Sequence, residues 1–371
     1  MQLNYSAPCI FGLEGLCANE LRFLGLDNVK AENGRVLFSG DFSAMARANI
    51  NSRLAERVQI LLAEFEATSF DELFEGVKNI SWESFIGMSD AFPVKGSCLS
   101  SKLMSVPDCQ RIIKKAVVSR LSQKYMLSWF EETGAVHQIQ FLIMNDRVSV
   151  MLDTSGAGLH KRGYRAESNE APIKETLAAA MAELAAVRPN HFVTDPMCGS
   201  GTILIEAAMK ALRIAPGLDR YFACERWSCV PKEAFEQERE LAKSKINRDC
   251  AFRAEGYDID EASLATAESN AKKAGVADRI TFAKRDLKDY QSPDGYCTLI
   301  TNPPYGERLL DIAQAEDLYR IMGERFVREK GKSYTIITPD DDFEKLFGRR
   351  ADKRRKTYNG TLKCQIYMYF K

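Results

Sequence analysis

The tetrapeptide Asn302-Pro303-Pro304-Tyr305 directly follows the apolar run CTLIT at 297–301, and its residue types suit one kind of chemistry. An exocyclic amine on a nucleobase is a poor nucleophile because its lone pair is delocalised into the ring. Two acceptors, the Asn302 side-chain oxygen and the Pro303 carbonyl, can take both N–H hydrogens and favour a more pyramidal nitrogen facing a methyl donor. Pro303 and Pro304 fix φ and remove competing donors, which keeps that presentation rigid. Tyr305 offers a flat face for a base drawn out of its stack, a contact of roughly 1 to 3 kcal/mol. On this reading only the ring face matters and the phenol hydroxyl is dispensable. An isolated tetrapeptide of this kind is more often a turn, so its weight depends on the company it keeps.

That company lies upstream. DPMCGSGT, Asp195 to Thr202, falls where a strand pattern gives way to a helix. Gly199 and Gly201 allow a tight turn and a close approach of backbone to ligand, while the helix that follows presents unpaired N–H groups. A tight turn without a ligand is the bland alternative. A P-loop would need GK[ST] and a dinucleotide site GxGxxG, and neither is present. In GYDID, residues 256–260, Asp258 sits at the end of the next strand, where a carboxylate can accept from two ribose hydroxyls. Asp260 immediately precedes EASLATAESNA and reads as a helix cap. Asp286, in KRDLKDY, could accept from an adenine amino group, although alone it reads as a turn residue.

The elements that position these residues alternate regularly. Helix patterns at 172–186, 202–214, 231–248, 261–274 and 315–329 are interleaved with strand patterns at 191–195, 252–258, 279–284, 297–301 and 333–338. Such β-α units imply a doubly wound parallel sheet. Runs at 353–358 and 361–370 flank Asn359-Gly360, a strong hairpin signal, so the sheet should finish antiparallel. This α/β arrangement fits a class I methyltransferase core better than a dinucleotide-binding fold. Residues 1 to about 165 follow an α+β rhythm instead. Strands are expected near 3–9, 29–38, 58–65, 92–99, 138–143 and 147–152, the last two joined by a turn at Asn145-Asp146, with helices near 15–24, 71–80 and 107–125. No catalytic constellation is evident there.

The 51 basic and 51 acidic residues cancel, so any nucleic-acid surface must be local. Lys161, Arg162 and Arg165, with His160, suit either phosphate contact or a solvated linker. The run Arg349, Arg350, Lys353, Arg354, Arg355 and Lys356 is expected beside the mouth of the site and in contact with RNA backbone. Trp82, Trp129 and Trp227 read as packed residues. Ten scattered cysteines without a CxxC pair and three isolated histidines suggest neither a disulfide scaffold nor a metal site. The absence of a signal peptide or long apolar span points to a cytoplasmic protein without membrane contact.

APIKETLAAAM at 171–181, DPMCGSGTILIEAA at 195–208, GYDID and NPPYGERL at 302–309, preceded by LHKRGYR at 159–165, together resemble the THUMP-domain-containing RNA guanine-N2 methyltransferases. The bacterial 23S ribosomal RNA group is the nearest match, along essentially the whole chain. The resemblance implies a ferredoxin-like segment at 1–55, a THUMP RNA-binding domain at 56–155, a linker at 156–170 and a methyltransferase domain at 171–371. It implies S-adenosylmethionine as cofactor, held by the loop Asp195, Pro196, Cys198, Gly199, Gly201 and Thr202. Asp258 would meet the ribose, Asp286 the adenine, and Asn302 to Tyr305 the target base, with Asn302 also beside the cofactor. The partner would be 23S rRNA or an assembling ribosomal subunit. Larger members carry a second methyltransferase domain, and one activity is expected here. N6-adenine methylation of RNA or DNA, glutamine methylation in proteins, and a non-catalytic RNA-binding assembly factor are the competing readings.

Overall fold

The computed structural model describes residues 1–165, 173–305 and 312–370. The expected start of a helix at 172, the end of the linker at 166–170, and the Gly306 to Leu309 end of the NPPY motif lie outside these residues. Among the described residues no helix is long and apolar enough to cross a membrane.

The N-terminal half contains β1 (Leu3–Pro8), α1 (Glu14–Phe23), β2 (Asp27–Glu32), β3 (Arg35–Gly40), α2 (Phe42–Asn51), β4 (Gln59–Glu66), α3 (Phe70–Lys78), β5 (Val94–Leu99), α4 (Val106–Tyr125), β6 (Ile139–Met144) and β7 (Arg147–Asp153). Its strands form one seven-stranded sheet in the order β2-β3-β1-β4-β7-β6-β5. Asn145 and Asp146 both have positive φ, 51° and 62°, the geometry that turns β6 tightly back into β7. The single strand expected over 29–38 is instead two strands, because Asn33-Gly34 turns the chain and Glu32 pairs with Arg35. Helix α2 lacks an amphipathic period because Ala44, Met45, Ala46, Ala48, Asn49 and Ile50 are all buried. Its start is nonetheless capped, the Asp41 carboxylate accepting from the Ala44 N–H at 2.9 Å.

The C-terminal half contains α5 (Glu175–Leu184), β8 (Phe192–Asp195), α6 (Thr202–Ala211), α7 (Lys232–Ser244), β9 (Arg253–Asp258), α8 (Glu261–Lys273), β10 (Ile280–Lys284), β11 (Cys297–Thr301), α9 (Ile312–Arg325), β12 (Lys332–Thr338), α10 (Phe343–Leu346), β13 (Lys353–Asn359) and β14 (Leu362–Tyr369). The second sheet also has seven strands, ordered β10-β9-β8-β11-β12-β14-β13. β8 to β12 run parallel, and β14 is antiparallel to both β12 and β13. All five residues of β11 are buried, which explains its unbroken apolar run. The chain builds outward from β8 through β9 to β10, then returns to lay β11 on the other side of β8. The order therefore reverses between β8 and β11, and a crevice opens beyond their C-terminal ends.

The halves are bonded together over a broad surface. Glu238 of α7, 4% exposed, takes Arg47 of α2 at 2.8 Å. Arg53 donates to the Ile214 carbonyl at 2.6 Å, the Gly217 N–H to the Ile50 carbonyl at 2.8 Å, and the Trp227 indole to the Val136 carbonyl at 2.9 Å. Trp82 and Trp227 are packed as expected, but Trp129 is 79% exposed. Phe130 takes the inward position instead and packs edge-on against Phe92.

Candidate active site

Asp195 ends β8, and the loop after it is held by backbone and side-chain bonds. Cys198 N–H donates to the Tyr257 carbonyl at 2.9 Å, and Gly199 N–H donates to the Asp258 carboxylate at 2.9 Å. Gly199 has φ +50° and faces open space where a Cβ would stand. At Gly201, φ +76°, a Cβ would meet the Ala267 Cβ at 3.0 Å and the Phe282 ring at 3.1 Å. One glycine thus leaves room on the crevice side and the other lets α8 and β10 approach. Gly201 caps α6, whose first residue, Thr202, is buried.

Asp258 receives Gly199 N–H on one oxygen and Asp260 N–H, at 3.0 Å, on the other. A carboxylate has about four lone-pair directions, so these bonds orient it while leaving acceptor capacity. Asp260 caps α8, accepting from the Ala262 and Ser263 N–H groups. Asp286 is exposed and accepts from Lys288 N–H at 2.9 Å, so the turn role is realised in the structure. The Cys198 thiol is buried and its pKa is raised by that burial, leaving backbone as that residue's contribution to the loop. Burial also pushes Asp195 up to about 7; the Thr301 hydroxyl and the Met197 N–H oppose the shift, and the charge of Asp258 adds to it.

NPPY lies at the other wall of the crevice. Leu299 pairs with Thr194, so the end of β11 lies beside the end of β8. The side-chain oxygen of Asn302 is buried and has no hydrogen-bond partner among the described residues. An unpaired buried acceptor costs about 1 to 3 kcal/mol, which marks this atom as built for something that arrives. The Tyr305 hydroxyl accepts from the Asn359 side chain at 2.8 Å, and its pKa is raised, chiefly by burial. The hydroxyl therefore has a partner that was not expected: it ties NPPY to the tip of the C-terminal hairpin.

Sequence reasoning missed Asn359 as a site residue, although its Asn-Gly turn was visible. It also missed Asn270, which is buried in α8 and donates to the Ser200 carbonyl at 3.1 Å. A buried amide on an otherwise alanine-rich helical face was the available signal.

The basic residues are largely engaged within the fold. Arg162 is buried, bonding the Leu159 and Arg53 carbonyls at 2.6 Å and lying 3.4 Å from Glu206, so it offers RNA no surface. Arg165 pairs with Glu175 at 3.2 Å, while Lys161 stays exposed. Arg349 lies over the Tyr334, Phe347 and Tyr369 rings at 4.8 to 5.4 Å. Arg354 pairs with Glu344 at 2.8 Å, and Arg355 donates to the Gly12 carbonyl at 3.0 Å. Arg350, Lys353 and Lys356 remain exposed. The end of β13 reaches the site through Asn359, but Arg349, Arg354 and Arg355 are engaged within the fold, so the basic run does not form one continuous free patch.

The crevice has the donors and acceptors a nucleoside-bearing cofactor needs: a glycine loop open on one side and helix N–H groups, with an oriented carboxylate and an unpaired amide oxygen to accept. Fold and site define a class I S-adenosylmethionine-dependent methyltransferase domain joined to an α+β module. Family models agree: the RMKL-like methyltransferase domain matches residues 162–368, the RlmL ferredoxin-like domain 4–59 and the THUMP domain 67–153. The chain belongs to this THUMP-bearing, RMKL-like methyltransferase family.

Over 366 residues it is 42% identical to "Putative RNA methyltransferase YpsC" of Bacillus subtilis, covering 98% of this chain and 95% of that one. It is 34% identical over 381 residues to the ribosomal RNA large subunit methyltransferase K/L of Psychromonas ingrahamii, covering 99% of this chain but 50% of that protein. The chain thus spans about half the length of such K/L proteins. Among solved structures, SMU.472, described as a putative methyltransferase complexed with SAH, superposes with TM-score 0.94 at 41% identity, covering 100% of this chain and 98% of that one. A Listeria monocytogenes protein described as a predicted N6-adenine-specific DNA methylase does so with TM-score 0.93 at 44% identity, covering 100% and 96%.

Proposed function

We propose that the chain methylates the N2 amine of a guanine in large-subunit ribosomal RNA, free or in an assembling subunit. The observation that carries this reading is the buried, unpaired Asn302 oxygen at the strand end where the sheet order reverses. When bound, S-adenosylmethionine supplies an electrophilic methyl group. Asn302 Oδ1 accepts one hydrogen of the target amine and the Pro303 carbonyl the other, which holds the nitrogen lone pair out of the ring plane. Pro303 and Pro304 keep both acceptors fixed, so little reorganisation is needed as charge develops on nitrogen. Tyr305, anchored through Asn359, presents its ring to the extruded base. Asp195, Gly199 and Gly201 would line the methionine end of the cofactor, with Pro196, Cys198 and Thr202 in the same binding loop; Asp258 would take the ribose hydroxyls and Asp286 the adenine. The boundaries 1–55, 56–155, 156–170 and 171–371 divide this work, with RNA affinity supplied mainly before residue 156.

The amine chemistry alone does not choose a base, and the adenine-N6 description of the Listeria relative is the competing reading. Incubating the full chain with 23S rRNA and cofactor, then identifying the methylated nucleoside by mass spectrometry, decides between them. N2-methylguanosine is the expected product. N6-methyladenosine would move the target to the other base, and cofactor binding without any methylated product would make the protein an assembly factor.

A further inference from the structure

A base cannot be drawn into a pocket without leaving its neighbour in the RNA chain short of a stacking partner. A site that acts on an extruded base therefore gains from a second aromatic surface nearby. Beyond the hairpin tip, between the two halves of the molecule, a cleft of about 490 Å³ is lined by Ile10, Phe11, Glu56, Lys174, Tyr358 and Gly360, among others. We propose that this cleft binds the nucleotide next to the target base, stacking its base on Phe11 and Tyr358. The proposal rests on the reading of the chain as an RNA methyltransferase.

Four observations support it. The Phe11 and Tyr358 rings meet edge to face, with centroids 5.9 Å apart and planes at 74°. Yet Phe11 remains 52% exposed and Tyr358 39%, so they form an open corner rather than a sealed contact between halves. That corner is fixed in place: a Cβ on Gly12 would stand 2.1 Å from the Lys356 carbonyl, and Arg355 donates to the Gly12 carbonyl at 3.0 Å. The segment carrying Phe11 is thus pressed against β13 two residues before Tyr358.

The cleft is also continuous with the catalytic loop. Asn359, between Tyr358 and Gly360, donates to the Tyr305 hydroxyl at 2.8 Å. Successive strand residues point to opposite faces, so one turn of chain serves both the target-base loop and the cleft. Finally, the polar wall suits a nucleotide. Lys174 brings an ammonium with three donors, one engaged by Glu56 at 3.2 Å. Burial pushes Glu56 upward, but bonds from His160 and Thr176 and the charge of Lys174 outweigh it and hold the carboxyl at about 2. Glu56 therefore stays ionised and fixes Lys174 at the rim, where a phosphate or base carbonyl can meet it.

The test uses the full chain with Phe11→Leu, Tyr358→Leu and the double variant, which keep apolar bulk and remove the rings. Two readouts are taken on a 23S rRNA transcript, equilibrium binding and methylation kinetics, together with cofactor affinity and thermal stability. Loss of one stacked base should raise KM and the RNA dissociation constant by roughly 10-fold or more, with kcat and cofactor affinity near the parent values. An unchanged KM and RNA affinity overturns the proposal; if the melting temperature also falls, the rings serve only as a contact between the halves. If the parent chain yields no methylated nucleoside, the enzymatic reading fails separately, and the binding arm still decides whether these rings hold RNA.

Discussion

Two seven-stranded sheets make up this molecule, and they differ in where they place function. In the C-terminal sheet, parallel strands end together, so the loops leaving β8, β9 and β11 converge on one crevice. Each loop must have particular residues there, which concentrates the chemistry into short motifs. The N-terminal sheet is largely antiparallel, and its loops leave at both ends, so no single edge gathers them. Recognition spread over a surface needs no fixed tetrapeptide. On the proposed division of labour, catalysis is therefore written compactly in one half, while binding in the other is a matter of exposure and placement.

The strongest way to break this comparison is at Asn302. Asn302→Ala should lower kcat by at least about 100-fold, as loss of one preorganised transition-state partner does, and leave cofactor affinity nearly unchanged. Equal losses in turnover and cofactor binding would show that the amide serves the cofactor. Arg162 tests where binding does not lie, since it suited either phosphate contact or a solvated linker and proves to be internal. Arg162→Ala leaves Glu206, fully buried, short of its cationic partner and should destabilise the fold by about 3 to 5 kcal/mol. Denaturant unfolding measures this; weaker RNA binding at unchanged stability would return Arg162 to the RNA surface.

Asp258→Ala should weaken cofactor binding by about 1.5 to 3 kcal/mol, the range for a hydrogen bond to a charged group, as read by calorimetry. Unchanged affinity in a folded variant would misplace the ribose site. The pH response sharpens the picture of Asp195. Its folded pKa of about 7 exceeds the ordinary 3.8, so the folded state holds a proton that the unfolded chain has released. Stability of the ligand-free protein should therefore fall as pH rises from about 4 to about 7, by at most about 1.4 kcal/mol per unit. Asp195→Asn should remove this slope, and a slope that persists must arise elsewhere. The smallest effect concerns the hairpin tie. Tyr305→Phe and Asn359→Ala each delete one hydrogen bond worth about 1 kcal/mol, so both should reduce kcat by the same few-fold. Tyr305→Ala, which also loses the ring, should do worse.

Much of the catalytic half was legible in the sequence. Strand periodicity located β8 to β12, and Asn359-Gly360 announced the closing hairpin. What escaped were properties that depend on a neighbour far along the chain. Nothing local to Arg162 says that Glu206 will stand beside it, or that aromatic rings will surround Arg349. Trp129 and Phe130 are adjacent, and only the position of Phe92 decides which one turns inward. Helix α2 escaped for a related reason, because burial on every side erases the periodicity by which a helix is read.

The bonds joining the halves, from Trp227 to Val136 and from Gly217 to Ile50, give the molecule the properties of a ruler. A lid on a flexible tether can deliver any nucleotide within its radius. A rigid block delivers only the one lying a set span from the point of grip. Selection of one base among many chemically identical ones can then rest on length and angle.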